Sequence, residues 1–66
     1  MSRKDQILSM LEASPKDSFL RFALAKEHEK AGADAGARSV YEAIVADDPE
    51  YVGTYYHLGK TLERLG

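Results

Sequence analysis

The chain has 66 residues, 44% hydrophobic and 30% charged, with a formal charge of −2 from 9 basic and 11 acidic side chains. This length makes one small domain at most, burying only about 60% of its unfolded surface, and Leu, Ile, Val and Phe at 14 of 66 positions place it just on the globular side of disorder. No like-charge run exceeds two residues, which removes the electrostatic footprint of a nucleic-acid or anionic-membrane binder, and the lack of cysteine excludes disulfides, thiolate zinc sites and cysteine nucleophiles.

The opening MSRKDQILSM is basic but has no long apolar run, so it is not read as a signal peptide. Nowhere does the chain approach the roughly 20 apolar residues of a membrane span. A soluble, cytoplasmic protein is expected, in keeping with the missing cysteines.

Nine Ala and two Pro lean the composition toward helix. The first predicted helix carries Ile7, Met10 and Leu11 on one side, with Arg3, Lys4, Asp5, Ser9 and Glu12 opposite, a pattern suited to a terminal cap. Ser14-Pro15 marks the next start, because proline is tolerated only in a helix's first turn. Ser14 is the expected N-cap, with Asp17 competing. The second helix aligns Leu20, Leu24 and His28 with Ala23, Ala25 and Ala31, and stops at Gly32. Asp34 is expected to cap the third, whose stripe is Val40, Tyr41, Ile44 and Val45. Asp47-Asp48-Pro49 opens the fourth, with Asp48 the expected cap and Asp47 its rival. Its stripe is Tyr55, Leu58, Leu62 and Leu65. Every stripe has helical spacing and none alternates as a strand would. Short connections make neighbouring helices antiparallel, so the prediction is all-α: four helices in two hairpins.

Sliding the sequence against itself by 34 residues exposes a repeat. Over the 19 positions from Ser14 to Gly32, five are identical: Pro15/Pro49, Leu24/Leu58, Lys26/Lys60, Glu29/Glu63 and Gly32/Gly66. Phe22/Tyr56, Ala25/Gly59 and Lys30/Arg64 are similar pairs, and the preceding helix follows the same offset through Lys4/Arg38, Ile7/Tyr41, Met10/Ile44 and Leu11/Val45. Self-similarity at a fixed period marks a repeat architecture.

A 34-residue helix–turn–helix period resembles the tetratricopeptide repeat. Tyr55-x2-Leu58-Gly59-x2-Leu62 is similar to the opening of that family's pattern, with Leu62 in place of a tyrosine, and Ala37-x3-Tyr41 followed by Pro49 is similar to its second half. Arg21-x2-Leu24-Ala25-x2-His28 departs from the opening at Arg21, where an aromatic is usual, and at His28. The resemblance covers nearly the whole chain. It implies a short right-handed α-solenoid of antiparallel helix hairpins in one domain, 1–66. Within it, 1–14 is a capping helix, 15–48 a full repeat and 49–66 the first helix of another. Small Ala25, Gly59 and Ala37 fit where paired helices approach within about 8–10 Å, and Tyr41, Leu24 and Leu58 are the large knobs beside them.

No enzyme is expected. His28 and His57 form no His-x3-His pair and are read as packed or surface residues, because a zinc site needs about three ligands in compatible positions. No nucleophile elbow or phosphate-cradling glycine loop is present, and capping explains Asp47-Asp48. No cofactor or metal is expected. The resemblance implies instead a protein-interaction scaffold that takes a peptide or partner helix on a concave face. Carried over by register, the groove residues are Phe19, Phe22, Lys26, Glu29 and Lys30, then Tyr56, Lys60, Glu63 and Arg64. The family's carboxylate clamp for chaperone tails is not expected, since Phe22 and Lys26 stand at its places and the chain contains no Asn. The alternative is a self-assembly unit, a homo-oligomer built through Tyr55, Leu58, Leu62 and Leu65 of the last helix, or a fragment of a longer array.

Overall fold

The computed structural model describes residues 2–66. It contains four helices, α1 (Arg3–Ala13), α2 (Ser18–Lys30), α3 (Asp34–Asp47) and α4 (Gly53–Leu65), and no strand among the described residues. The all-α expectation holds.

Side-chain pairs define the directions. Arg3 at the start of α1 reaches Glu27 near the end of α2. Ser18 at the start of α2 donates to Asp48 just past α3, and Arg64 at the end of α4 holds Asp34 at the start of α3. Consecutive helices are therefore antiparallel. α2 and α4 then run parallel, with Phe22 against His57 and Glu29 against Arg64.

The 34-residue period recurs in the backbone. Ser14-Pro15-Lys16-Asp17 and Asp48-Pro49-Glu50-Tyr51 are β-turns, closed by Asp17 N–H to Ser14 C=O at 3.1 Å and by Tyr51 N–H to Asp48 C=O at 3.0 Å. Proline sits at the second position of each, where its fixed φ is favourable. Ser14 has φ −136° and ψ 69°, and Asp48 has φ −144° and ψ 71°. Gly32 and Gly66 both take positive φ, 76° and 90°, the left-handed conformation glycine adopts without steric cost.

The helix starts differ from expectation. Ser14 and Asp48 end α1 and α3 rather than capping the helices that follow, because the proline turns intervene. Asp17 caps α2, its carboxylate accepting from Leu20 N–H at 3.0 Å. The matching position in the second turn is Tyr51, which has no carboxylate to offer, and α4 starts at Gly53 with no side-chain cap. Asp34 is the first residue of α3, after Ala33, and caps nothing.

The Cα framework measures 32 × 26 × 14 Å, a slab too thin to enclose much. Ile7, Ala25, Ala37, Tyr41, Ile44, Thr54 and Thr61 are the buried side chains among the described residues. Of the three small residues expected at close approaches, Ala25 and Ala37 take such positions, with Phe22, Val40, Tyr51 and Leu58 packed around the cluster, whereas Gly59 is exposed and a Cβ there would meet nothing within 4 Å, because no helix covers that side of α4. The small Gly36 likewise admits the His28 ring, whose Nδ1 lies 3.2 Å from where a Cβ would stand.

The last helix requires a correction. Its buried residues are Thr54 and Thr61, while Tyr55, Leu62 and Leu65 face solvent and only Leu58 of the expected stripe touches the core. α4 packs on α3 and touches α2 through His57 and Arg64, so it buries Thr54 and Thr61 and leaves its opposite side to solvent.

Candidate functional site

Four of the expected groove residues, Phe22, Lys26, Glu29 and Arg64, converge on the junction of α2, α3 and α4. Helical spacing puts Phe22, Lys26 and Glu29 on one side of α2. The Phe22 ring meets Tyr41, Tyr51 and His57 edge-on, with centroids 5.7, 5.8 and 5.0 Å away. His57 stacks on Tyr41 at 6.0 Å and meets Tyr56 edge-on at 5.3 Å. Phe22 is thus a half-buried wedge between helices, and Phe19, one turn earlier, is exposed.

Below the aromatic rings lies a charged knot. Glu29 accepts from the Tyr41 hydroxyl and from Arg64 Nη2, with Lys26 Nζ 3.7 Å away. Arg64 Nε also donates to Asp34 at 3.0 Å, so one guanidinium ties α4 to both α2 and α3. Burial pushes the Glu29 carboxyl up, but the hydrogen bonds from Tyr41 and Arg64 and the charges of Lys26 and Arg64 outweigh it and hold it below its ordinary value. Burial, then the bond to Glu29 and its charge, push the Tyr41 phenol far up. Burial, helped by Lys26 and Arg64 against the opposing pull of Glu29, holds the His57 imidazole down, so the ring stays neutral at pH 7.

The surface beside this knot is aromatic and basic. Tyr56 is exposed, with Lys60 Nζ 5.7 Å from its ring centroid, a cation–π pair. Lys26 belongs to the same face through its approach to Glu29 and its effect on His57. The structure therefore brings Phe22, Lys26, Glu29 and Arg64 together and sets Tyr56 and Lys60 beside them. Lys30 lies elsewhere: it pairs with Glu27, which also receives Arg3 of α1. Glu63 is exposed and makes no ion pair among the described residues.

Sequence reasoning missed His57, Tyr41, Tyr51 and Asp34 as members of this site. A signal existed for His57, which follows Tyr56 and corresponds to Ala23 at the 34-residue offset: a polar aromatic replaces a small residue there. Among the described residues there is no group of three or more His, Asp or Glu placed to hold a metal, no enclosed pocket, and no helix long and apolar enough to cross a membrane. Comparison with protein-family models, curated proteins and solved structures finds no match to this chain.

Proposed function

We propose that the chain is a tetratricopeptide-like solenoid module, right-handed in its winding, that binds a segment of another protein along the face formed by α2 and α4. The supporting observation is the parallel pairing of these helices across a turn geometry that recurs at 34 residues. Repeat proteins of this kind bind along one face built from successive equivalent helices. Here that face carries Phe19, Tyr56, Lys26 and Lys60 above the Glu29–Arg64 knot, chemistry that fits a segment with an apolar side chain beside an acidic one. The knot fixes the spacing of α2 and α4, so the face is preorganised rather than assembled on binding. A cytoplasmic setting suits the cysteine-free chain, and the module works as a scaffold with no chemistry of its own.

The test is selection from a random displayed-peptide library, using the wild type and a Lys26→Glu/Lys60→Glu variant matched in helicity by circular dichroism. The wild type is expected to enrich peptides pairing Asp or Glu with a large apolar residue, and the variant to lose them at least tenfold. Enrichment of no motif, or equal binding by both proteins, refutes the reading. The uncovered Tyr55, Leu62 and Leu65 of α4 favour a second reading, self-assembly.

A further inference from the structure

α4 rests on α3 and reaches α2 at His57, which meets Phe22, and at Arg64, which meets Glu29. Helical spacing puts His57 and Arg64 on one side of α4, two turns apart. Thr61 links them, donating to the His57 carbonyl at 2.9 Å and accepting from Arg64 Nη2 at 3.2 Å. The half-buried His57 imidazole faces Phe22, Lys26 and Glu29 of α2, Tyr41 of α3, and Tyr56 and Arg64 of α4. A neutral ring suits that place, with three aromatic rings around it. An imidazolium does not, since it would stand beside two cations, Lys26 and Arg64. Glu29 draws on it in the other direction, but one Glu29 oxygen is engaged by Tyr41 and Lys26 and the other by Arg64. To bond that carboxylate, His57 must displace Tyr41 or Arg64, and displacing Arg64 cuts the second tie between α4 and α2.

We propose that His57 is a proton-operated latch, whose protonation frees α4 from α2 and uncovers Phe22 while α1, α2 and α3 stay folded together. The sign follows from the environment. Burial, Lys26 and Arg64 outweigh Glu29 and hold the folded imidazole below its ordinary value of 6.5, so acid favours the arrangement that returns the ring to water. The latch is shut above 6.5 and opens as pH falls through the lowered value. Glu29 is held below its ordinary 4.5 and Tyr41 far above neutrality, so both keep one charge state down to about pH 5 and the change belongs to His57. The latch lies beneath the α2–α4 face and stands whether or not that face binds a peptide.

Two-dimensional proton–nitrogen NMR of the full chain, titrated from about pH 7.5 to about pH 5, tests it. The His57 ring should titrate with a midpoint below 6.5. Across the same midpoint the α4 amides should lose hydrogen-exchange protection, corrected for the intrinsic rate, while those of α1 and α2 keep theirs. The loss should be about tenfold for each pH unit between that midpoint and 6.5. His57→Phe keeps an aromatic ring without the proton, so α4 should stay protected, and what still titrates in that variant belongs to His28. Lys26→Gln removes one opposing cation and should raise the His57 midpoint. A midpoint at or above 6.5 overturns the proposal, because the surrounding rings and Glu29 then welcome the cation. So does opening of α4 that survives in His57→Phe, a His57 titration that leaves α4 protected, or loss of protection in all four helices together. If His57→Phe loses its helical spectrum, His57→Gln replaces it, neutral over the same range.

Discussion

Tyr41→Phe isolates the polar knot from the aromatic packing around it. The phenol ring lies fully buried, edge-on to Phe22 and stacked on His57, and phenylalanine keeps those ring contacts. What disappears is one O–H donating to the Glu29 carboxylate at 2.5 Å. A hydrogen bond to a charged group contributes about 1.5–3 kcal/mol. Arg64 and Lys26 remain at Glu29, which places the loss near the lower end, about 1.5 kcal/mol. A domain of this size holds only about 3–10 kcal/mol in total, so the change removes a substantial share. At about 4–8 °C per kcal/mol, Tm falls by about 6–12 °C.

Thermal melts followed by circular dichroism at 222 nm measure it, with a double-mutant cycle to assign the cause. In a Glu29→Gln background the same substitution removes only a neutral bond, so its cost should shrink to about 0.5–1 kcal/mol. A Tm within about 2 °C of wild type refutes the reasoning, as does full additivity with Glu29→Gln. Either result means the hydroxyl exchanges Glu29 for water without loss and the knot does not hold the helices together.

The remaining expectations follow from single positions. His57 has a lowered pKa in the fold, so the folded state binds fewer protons than the unfolded chain. Its contribution is complete above the ordinary value of 6.5 and is lost as pH falls through the lowered folded value; urea titrations should show this slope in wild type and its absence in His57→Phe. Asp17→Ala removes the α2 cap and should cost about 1 kcal/mol in the same assay, with Asp17→Ser recovering most of it. Gly59→Ala puts a methyl into open space in mid-helix, where its counterpart Ala25 already stands, and should stabilise by about 0.5–1 kcal/mol. Thr54 is fully buried and its Oγ1 has no hydrogen-bond partner among the described residues. An unsatisfied buried hydroxyl costs about 1–3 kcal/mol, so Thr54→Val should raise Tm, and a fall in Tm counts against that placement.

What the sequence revealed and what it hid divide along physical lines. The helices, their order and the stop at Gly32 were legible because apolar spacing and positive φ are local requirements. Ala25 and Ala37 were legible because close helix packing demands small residues at defined places. The cap of α2 was ambiguous from sequence because Ser14 and Asp17 both have capping side chains; the proline turn decided it by taking up Pro15 and Lys16 first. The charged knot was not legible, since Glu29, Asp34 and Arg64 come from three helices and nothing in their spacing reveals that one guanidinium spans them.

The outward turn of α4 has a different cause, and it bears on function. Its stripe of Tyr55, Leu58, Leu62 and Leu65 has the same spacing as those of the interior helices, yet most of it faces solvent. Spacing says which residues share a face but not whether a neighbour covers that face. In a repeat array each helix is sandwiched, and its apolar surface must serve two contacts. α4 buries Thr54 and Thr61 within the chain and leaves Leu62 and Leu65 exposed. Met10 and Leu8 on α1 make the complementary statement at the opposite end. Apolar side chains gathered uncovered on one helix are the usual mark of a contact surface. Thus the α2–α4 face, held open by the knot, and the two apolar ends are separate surfaces.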